Sequence, residues 1–227
     1  MIHHPWNISP SQAIALQKEL AGLVRQEPLT GPVETVAGAD CAFVEDGRAI
    51  LAAVVLCDAR TMAVLARASE VRPCRFPYVP GLLSFREAPA IIAAVERLPR
   101  RPDLLMCDGQ GLAHPRGLGL ACHVGLWLDT PTIGVAKSLL CGEHRDPGLA
   151  RRCRAAIRLD GRVVGAALRT REAVKPLFVS VGHRVTLTDA LAWTLRCGRG
   201  FRLPEPTRQA HQTVGRMKPL HRPRADV

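Results

Sequence analysis

Asp103-Leu104-Leu105-Met106-Cys107-Asp108-Gly109-Gln110-Gly111 is the stretch on which the fold turns. Its unbroken apolar centre reads as a short strand buried on both faces, as strands are inside a parallel sheet. Gly109-Gln110-Gly111 ends it. A helical pattern precedes it at about Ala90 to Leu98 and another follows at about Leu118 to Leu128, with Thr132 to Lys137 reading as a second buried strand. Helical crossovers of this kind are what parallel neighbours require. Upstream, Thr35 to Phe43, Arg48 to Asp58 and Met62 to Glu70 read as three strands with short connections, hence as antiparallel neighbours.

The resulting order, β-β-β-α-β-α-β, is that of the ribonuclease H-like fold. It is an α/β architecture in which an antiparallel meander is extended by parallel strands and the mixed sheet is flanked by helices. Around this frame, Ser9-Pro10 opens a helix whose apolar stripe (Ala13, Ile14, Leu16, Leu20, Leu23, Val24) reaches toward Pro28. Arg152 to Leu159 and Val163 to Arg169 flank Asp160-Gly161, a hairpin signal. Leu177 to Val181 reads as a further strand, and Thr188 to Cys197 as a helix closed by Gly198. No repeat or linker divides the chain, so residues 1–227 are expected to form one domain, with a flexible basic tail at about 215–227.

Composition bounds the function. A chain of 227 residues, 47% apolar and 22% charged, has room for one sizeable core. No apolar run approaches the roughly 20 residues that span a bilayer. The N-terminus, Met1 to Asn7, lacks the basic and apolar regions of a secretion signal. The 8 cysteines are scattered, without metal spacing, and read as reduced core residues of a cytoplasmic protein. Net charge is +11, with Arg196 to Val227 carrying eight basic residues against Glu205 and Asp226. Such an excess suits a polyanion, nucleic acid first and an acidic membrane surface second; a merely arginine-rich composition is the bland alternative.

Three acids stand out against the frame. Asp40 lies in the middle of the first strand, Asp108 at the end of the fourth, and Glu87 just before the first crossover helix. An ionised carboxylate in an apolar strand costs several kcal/mol unless it is paired or binds metal. Two on adjacent strands repel, and a hard divalent cation, Mg2+ or Mn2+, relieves both. Taken singly, each acid has a structural reading. Asp108-Gly109 is a common turn, and Ser84-Phe85-Arg86-Glu87 matches a helix capping box, although Pro89 would then fall inside that helix.

Arg75-Phe76-Pro77-Tyr78-Val79-Pro80-Gly81-Leu82-Leu83-Ser84-Phe85-Arg86-Glu87 is a loop stiffened by prolines and shaped to present Tyr78. With Gly38-Ala39-Asp40, Asp108 to Arg116, Pro131 to Ser138, Ser180 to Arg184 and Leu203 to His211, it resembles the endonuclease V family, the deoxyinosine 3′-endonucleases, over almost the whole chain. The resemblance implies hydrolysis of the second phosphodiester bond 3′ to a deaminated base, with Mg2+ as cofactor and Mn2+ able to substitute. It implies metal binding by Asp40, Glu87 and Asp108, and catalytic roles for Lys137 near the scissile phosphate and for His211. It implies a base-displacing wedge at Tyr78, with lesion contacts around Pro80, Gly81, Leu82, Gly109, Gly111, His114 and Arg116. His114 beside Pro115 also reads as a loop-packing residue. The expected partner is DNA containing deaminated bases, bound by a monomer without a membrane. An endoribonuclease acting at inosine, or a lesion-binding protein without catalysis, are the alternatives.

Overall fold

The computed structural model describes residues 2–221. Among these residues, five α-helices and eight strands follow in the order α1 (Pro10–Ala21), β1 (Thr35–Val44), β2 (Ala49–Asp58), β3 (Val64–Pro73), α2 (Leu83–Glu96), β4 (Leu104–Cys107), α3 (Leu120–Leu128), β5 (Thr132–Ala136), β6 (Arg154–Leu159), β7 (Arg162–Leu168), β8 (Leu177–His183), α4 (Leu187–Arg196) and α5 (Glu205–Met217). The sheet runs β3-β2-β1-β4-β5-β8-β7-β6. β1, β4 and β5 are parallel to one another, and every other neighbouring pair is antiparallel. This is the mixed ribonuclease H-like sheet that the sequence order implies. No helix among the described residues is long and apolar enough to cross a membrane.

Both faces of the sheet are covered. On one, Ala37, Ala39, Ile50, Ala52 and Val54 pack against Ala88, Ile91 and Val95 of α2 and Ala121 and Val124 of α3. On the other, Val36, Leu104, Met106, Ile133 and Val135 meet Ala190 and Leu191 of α4, while Leu51 and Ala53 meet Val214 of α5. The small residues of β1 let helices come close. Gly38 is the extreme case: a Cβ there would lie 2.1 Å from the backbone carbon of Pro206, at the start of α5. The β6–β7 turn has both Asp160 (φ 50°) and Gly161 (φ 76°) in the left-handed region, which a two-residue hairpin of this hand requires.

Several boundaries differ from the sequence expectation. α1 stops at Ala21 with Gly22 as its cap, so Leu23 and Val24 lie beyond it. α2 begins at Leu83 instead of Ala90 and runs through Pro89. One backbone bond is lost to that proline; burial of Phe85, Ala88, Ile91, Ile92 and Val95 on the same helix outweighs it. Glu87 is therefore inside the helix, and Ser84 does not cap it. The Ser84 hydroxyl instead meets Nδ1 of His123 at 3.0 Å. Gly198 does not close α4 in a left-handed conformation; the cap is Cys197 in a right-handed one. Of the expected basic tail, Gly215 to Met217 belong to α5, Lys218–His221 form a 3₁₀ turn, and residues 222–227 lie outside the described residues.

His123 is fully buried, and its Nε2 lies 2.7 Å from Nε2 of His4, so one ring donates and the other accepts. Burial, and then His4, push its pKa down to about 3. Because the folded state prefers the neutral ring, its stabilisation is complete above the ordinary histidine pKa of about 6.5 and is lost as pH falls toward 3. The unfolding free energy from urea melts is expected to decline from pH 6.5 to 5, by up to about 1.4 kcal/mol per pH unit from this residue. His123→Phe should flatten that slope; an unchanged slope would remove His123 as its source.

Candidate active site

Parallel pairing of β1 with β4 sets Ala39 beside Cys107, so the next residues, Asp40 and Asp108, meet at the carboxyl end of β4. The Asp108 N–H donates to the Ala39 carbonyl at 3.0 Å, locking that register. α5 then brings His211 over Asp40, with Nδ1 2.7 Å from Oδ2. One potential ligand atom from each of Asp40, Asp108 and His211 lies within 4.8 Å of the others. β5, next in the sheet, ends at Ala136, and Lys137 follows to form an ion pair with Asp108. Nζ of Lys137 is also 3.4 Å from His211 Nδ1. An ionised Asp40 only accepts from that nitrogen and Lys137 only donates to it, so the shorter contact assigns Nδ1 a proton directed at Asp40. Arg202 donates to the Lys137 carbonyl at 2.8 Å and fixes its backbone.

The electrostatics are those of crowded acids. Burial first and Asp40 second raise the Asp108 pKa, and the hydrogen bond and charge of Lys137 oppose them. Glu87 stands outside the three-residue set, yet burial and the charges of Asp40 and Asp108 push its pKa up to about 8. Glu87 is thus close enough to feel both aspartates. Two carboxylates and an imidazole fit a divalent cation, oxygen ligands favouring a hard ion and the imidazole admitting a transition metal.

Beside the acids opens a pocket of about 410 Å³, with Tyr78, Pro80 and Gly81 on one wall and Asp108, Gly109 and Lys137 on another. Tyr78 is 74% exposed. Its ring is backed by Arg86, whose guanidinium carbon lies 5.6 Å from the Tyr78 centroid and 4.2 Å from that of Phe43. Not every residue named from sequence reaches this pocket. Leu82 is buried beneath the loop with Phe76 and Phe85. Gly111 turns its empty Cβ position to the β8 backbone, where a methyl would lie 2.0 Å from the Val181 oxygen. The N–H groups of Leu82, Gly109 and Gly111 are already taken by Val79, Cys107 and Ser180. His114 and Arg116 brace the Gly81 carbonyl from behind, at 2.9 and 2.8 Å. Burial pushes the His114 pKa down to about 4.

A model of the family described as Endonuclease V matches residues 18–212 of this chain. An endonuclease V from Trichormus variabilis is 45% identical over 208 residues, which cover 91% of this chain and 94% of that protein. The chain belongs to the endonuclease V family. It is accordingly a nuclease, a phosphodiester hydrolase. The crystal structure of an endonuclease V from Streptomyces avermitilis, 44% identical, superposes with a TM-score of 0.89 and covers 95% of each chain. An endonuclease V from Ciona intestinalis, crystallised with a 23mer DNA containing an inosine, is 23% identical and shares the fold at a TM-score of 0.82, over 94% of this chain and 99% of that one.

Sequence reading missed two polar residues near this endonuclease V site. His123 interrupts the apolar run of α3, and Gln17 falls on the apolar stripe of α1 between Ala13 and Leu20. A polar residue on a buried helical stripe was the available signal in both cases.

Proposed function

We propose that this protein hydrolyses the second phosphodiester bond 3′ to deoxyinosine in DNA, using Mg2+, with Mn2+ able to substitute. The observation that carries this reading is a single pocket flanked by an exposed tyrosine on a braced loop and by an aspartate–lysine pair beside a second aspartate. Asp40 and Asp108 would hold the cation, with Glu87 and His211 completing or orienting its surroundings. When bound, such a cation supplies Lewis-acid polarisation of the phosphate and a lowered pKa for an attacking water. Lys137, anchored by Asp108 and by Arg202 behind it, places positive charge where charge develops on the phosphate. Tyr78 takes the place of the extruded base in the stack, and a mispaired hypoxanthine is inexpensive to extrude.

End-labelled oligonucleotides carrying one deoxyinosine, their inosine RNA counterparts and undamaged controls, incubated with Mg2+ or EDTA, test the proposal. A metal-dependent nick one nucleotide beyond the lesion supports it, cutting of the RNA alone moves the protein to RNA, and binding without cutting leaves only lesion recognition. Tyr78→Ala should lower kcat/KM on the duplex roughly 10- to 100-fold, the equivalent of about 1–3 kcal/mol of base stacking. Wild-type rates in that variant would discard the wedge.

A further inference from the structure

Gln17 in α1 is fully buried, yet it lies on the wall of the pocket beside the acids. Its Nε2 donates to the carbonyls of Gly81 and Leu118, each at 3.0 Å, while its Oε1 accepts from Nε of Arg116 at 2.6 Å. Only one orientation of the amide satisfies all three. Arg116 also donates through Nη2 to the Gly81 carbonyl at 2.8 Å. The Arg116 N–H donates to Nδ1 of His114 at 3.2 Å, which leaves the ring proton on Nε2, donated to that same carbonyl at 2.9 Å. One oxygen thus receives three donors. Gly81 itself is held at φ 80°, with Arg116 Nη2 only 2.6 Å from where a Cβ would be.

The two carbonyls that Gln17 bridges belong to different walls of the pocket. Gly81 ends the loop that presents Tyr78, and Leu118 lies on the segment leading into α3. Resting on the deoxyinosine reading above, we propose that Gln17 is a positioning residue for base extrusion: its amide sets the spacing of the two pocket walls and, with Arg116 and His114, holds the Tyr78 loop in the pose that admits a displaced base. A purely structural glutamine would satisfy loop carbonyls without affecting one step more than another. A staple between walls acts on extrusion, because a loop fixed beforehand spends none of the binding energy on its own ordering. In a single strand no base pair has to be broken, so the part of the Gln17 contribution that acts through the Tyr78 loop is not called on there.

The test compares Gln17→Met and Gln17→Glu with wild type in the full-length protein. Met removes all three bonds without adding charge; Glu keeps the acceptor for Arg116 but sets a second acceptor oxygen against the two carbonyls that the amide served, and a thermal melt of each variant separates loss of the staple from loss of the fold. Single-turnover cleavage is measured on a deoxyinosine duplex and on the same strand alone, with 2-aminopurine beside the lesion reporting extrusion in EDTA. Loss on the duplex of roughly 10- to 100-fold is expected, together with a lost fluorescence rise and near wild-type cutting of the single strand. Equal losses on both substrates, or no loss from a folded variant, overturn the inference. Wild-type protein that cuts neither substrate overturns the deoxyinosine reading itself, and the role of Gln17 with it.

Discussion

Asp108→Asn is expected to lower cleavage by roughly 10³-fold or more while making the cation-free protein more stable. On the proposed reading, the loss follows from removing one of two carboxylates that meet at the end of β4 and would share a cation, whose transition-state stabilisation would be worth several kcal/mol. The gain in stability follows from the raised pKa of Asp108: burial and the neighbouring Asp40 penalise its ionised form more than Lys137 rewards it. For an acid raised in this way, the penalty is absent at low pH and grows as pH climbs past the ordinary aspartate value of about 3.9. Asn keeps the shape and removes the charge, and the partly exposed Lys137 returns to water. Thermal melts in EDTA should therefore show the variant above wild type at pH 7, by about 2–4 °C for each kcal/mol relieved, with the gap closing toward pH 4. A melting temperature below wild type at pH 7, or activity within tenfold of it, would contradict the assignment.

Gly38→Ala should damage stability and activity together, although Gly38 touches no candidate ligand. The added methyl would fall 2.1 Å from the Pro206 carbon and 2.3 Å from the Thr207 nitrogen, both backbone atoms at the head of α5. No rotamer can yield, so the helix must move. Overpacking of this kind costs about 1–3 kcal/mol. Because α5 carries His211 to its 2.7 Å contact with Asp40, a shift of about 1 Å is expected to reduce cleavage roughly 10²-fold. His211→Ala made in the Gly38→Ala background should add little, since both act through the same contact. Full additivity of the two losses would show that α5 matters to the site by some other route, and an unaltered melting temperature would refute the close approach.

Much of the fold was readable because each strand carries its own pattern. The continuous apolar runs of β4 and β5 announce burial on both faces, and Asp160-Gly161 announces its turn. Errors came where local rules competed. Pro89 argued for a late start to α2, but a buried helical face is worth more than one backbone bond, so the helix begins at Leu83. Ser84 looked like a cap and serves His123 instead. At Gly111 the absent side chain makes room for the β8 backbone, a close approach that no local pattern announces.

What the sequence by itself determined was the order of elements and the place of Asp40 and Asp108 on neighbouring strands, because strand burial, turn chemistry and the spacing that forces crossovers are written locally. Only the tertiary structure decided at what distances the distant groups meet around the site. His211 reaches Asp40 across 171 residues, and Gln17 reaches Gly81 across 64 and Leu118 across 101. No local propensity encodes those meetings. They depend on how closely α5 settles at Gly38 and α1 behind the Tyr78 loop, and close packing fixes such distances only once the whole core is in place.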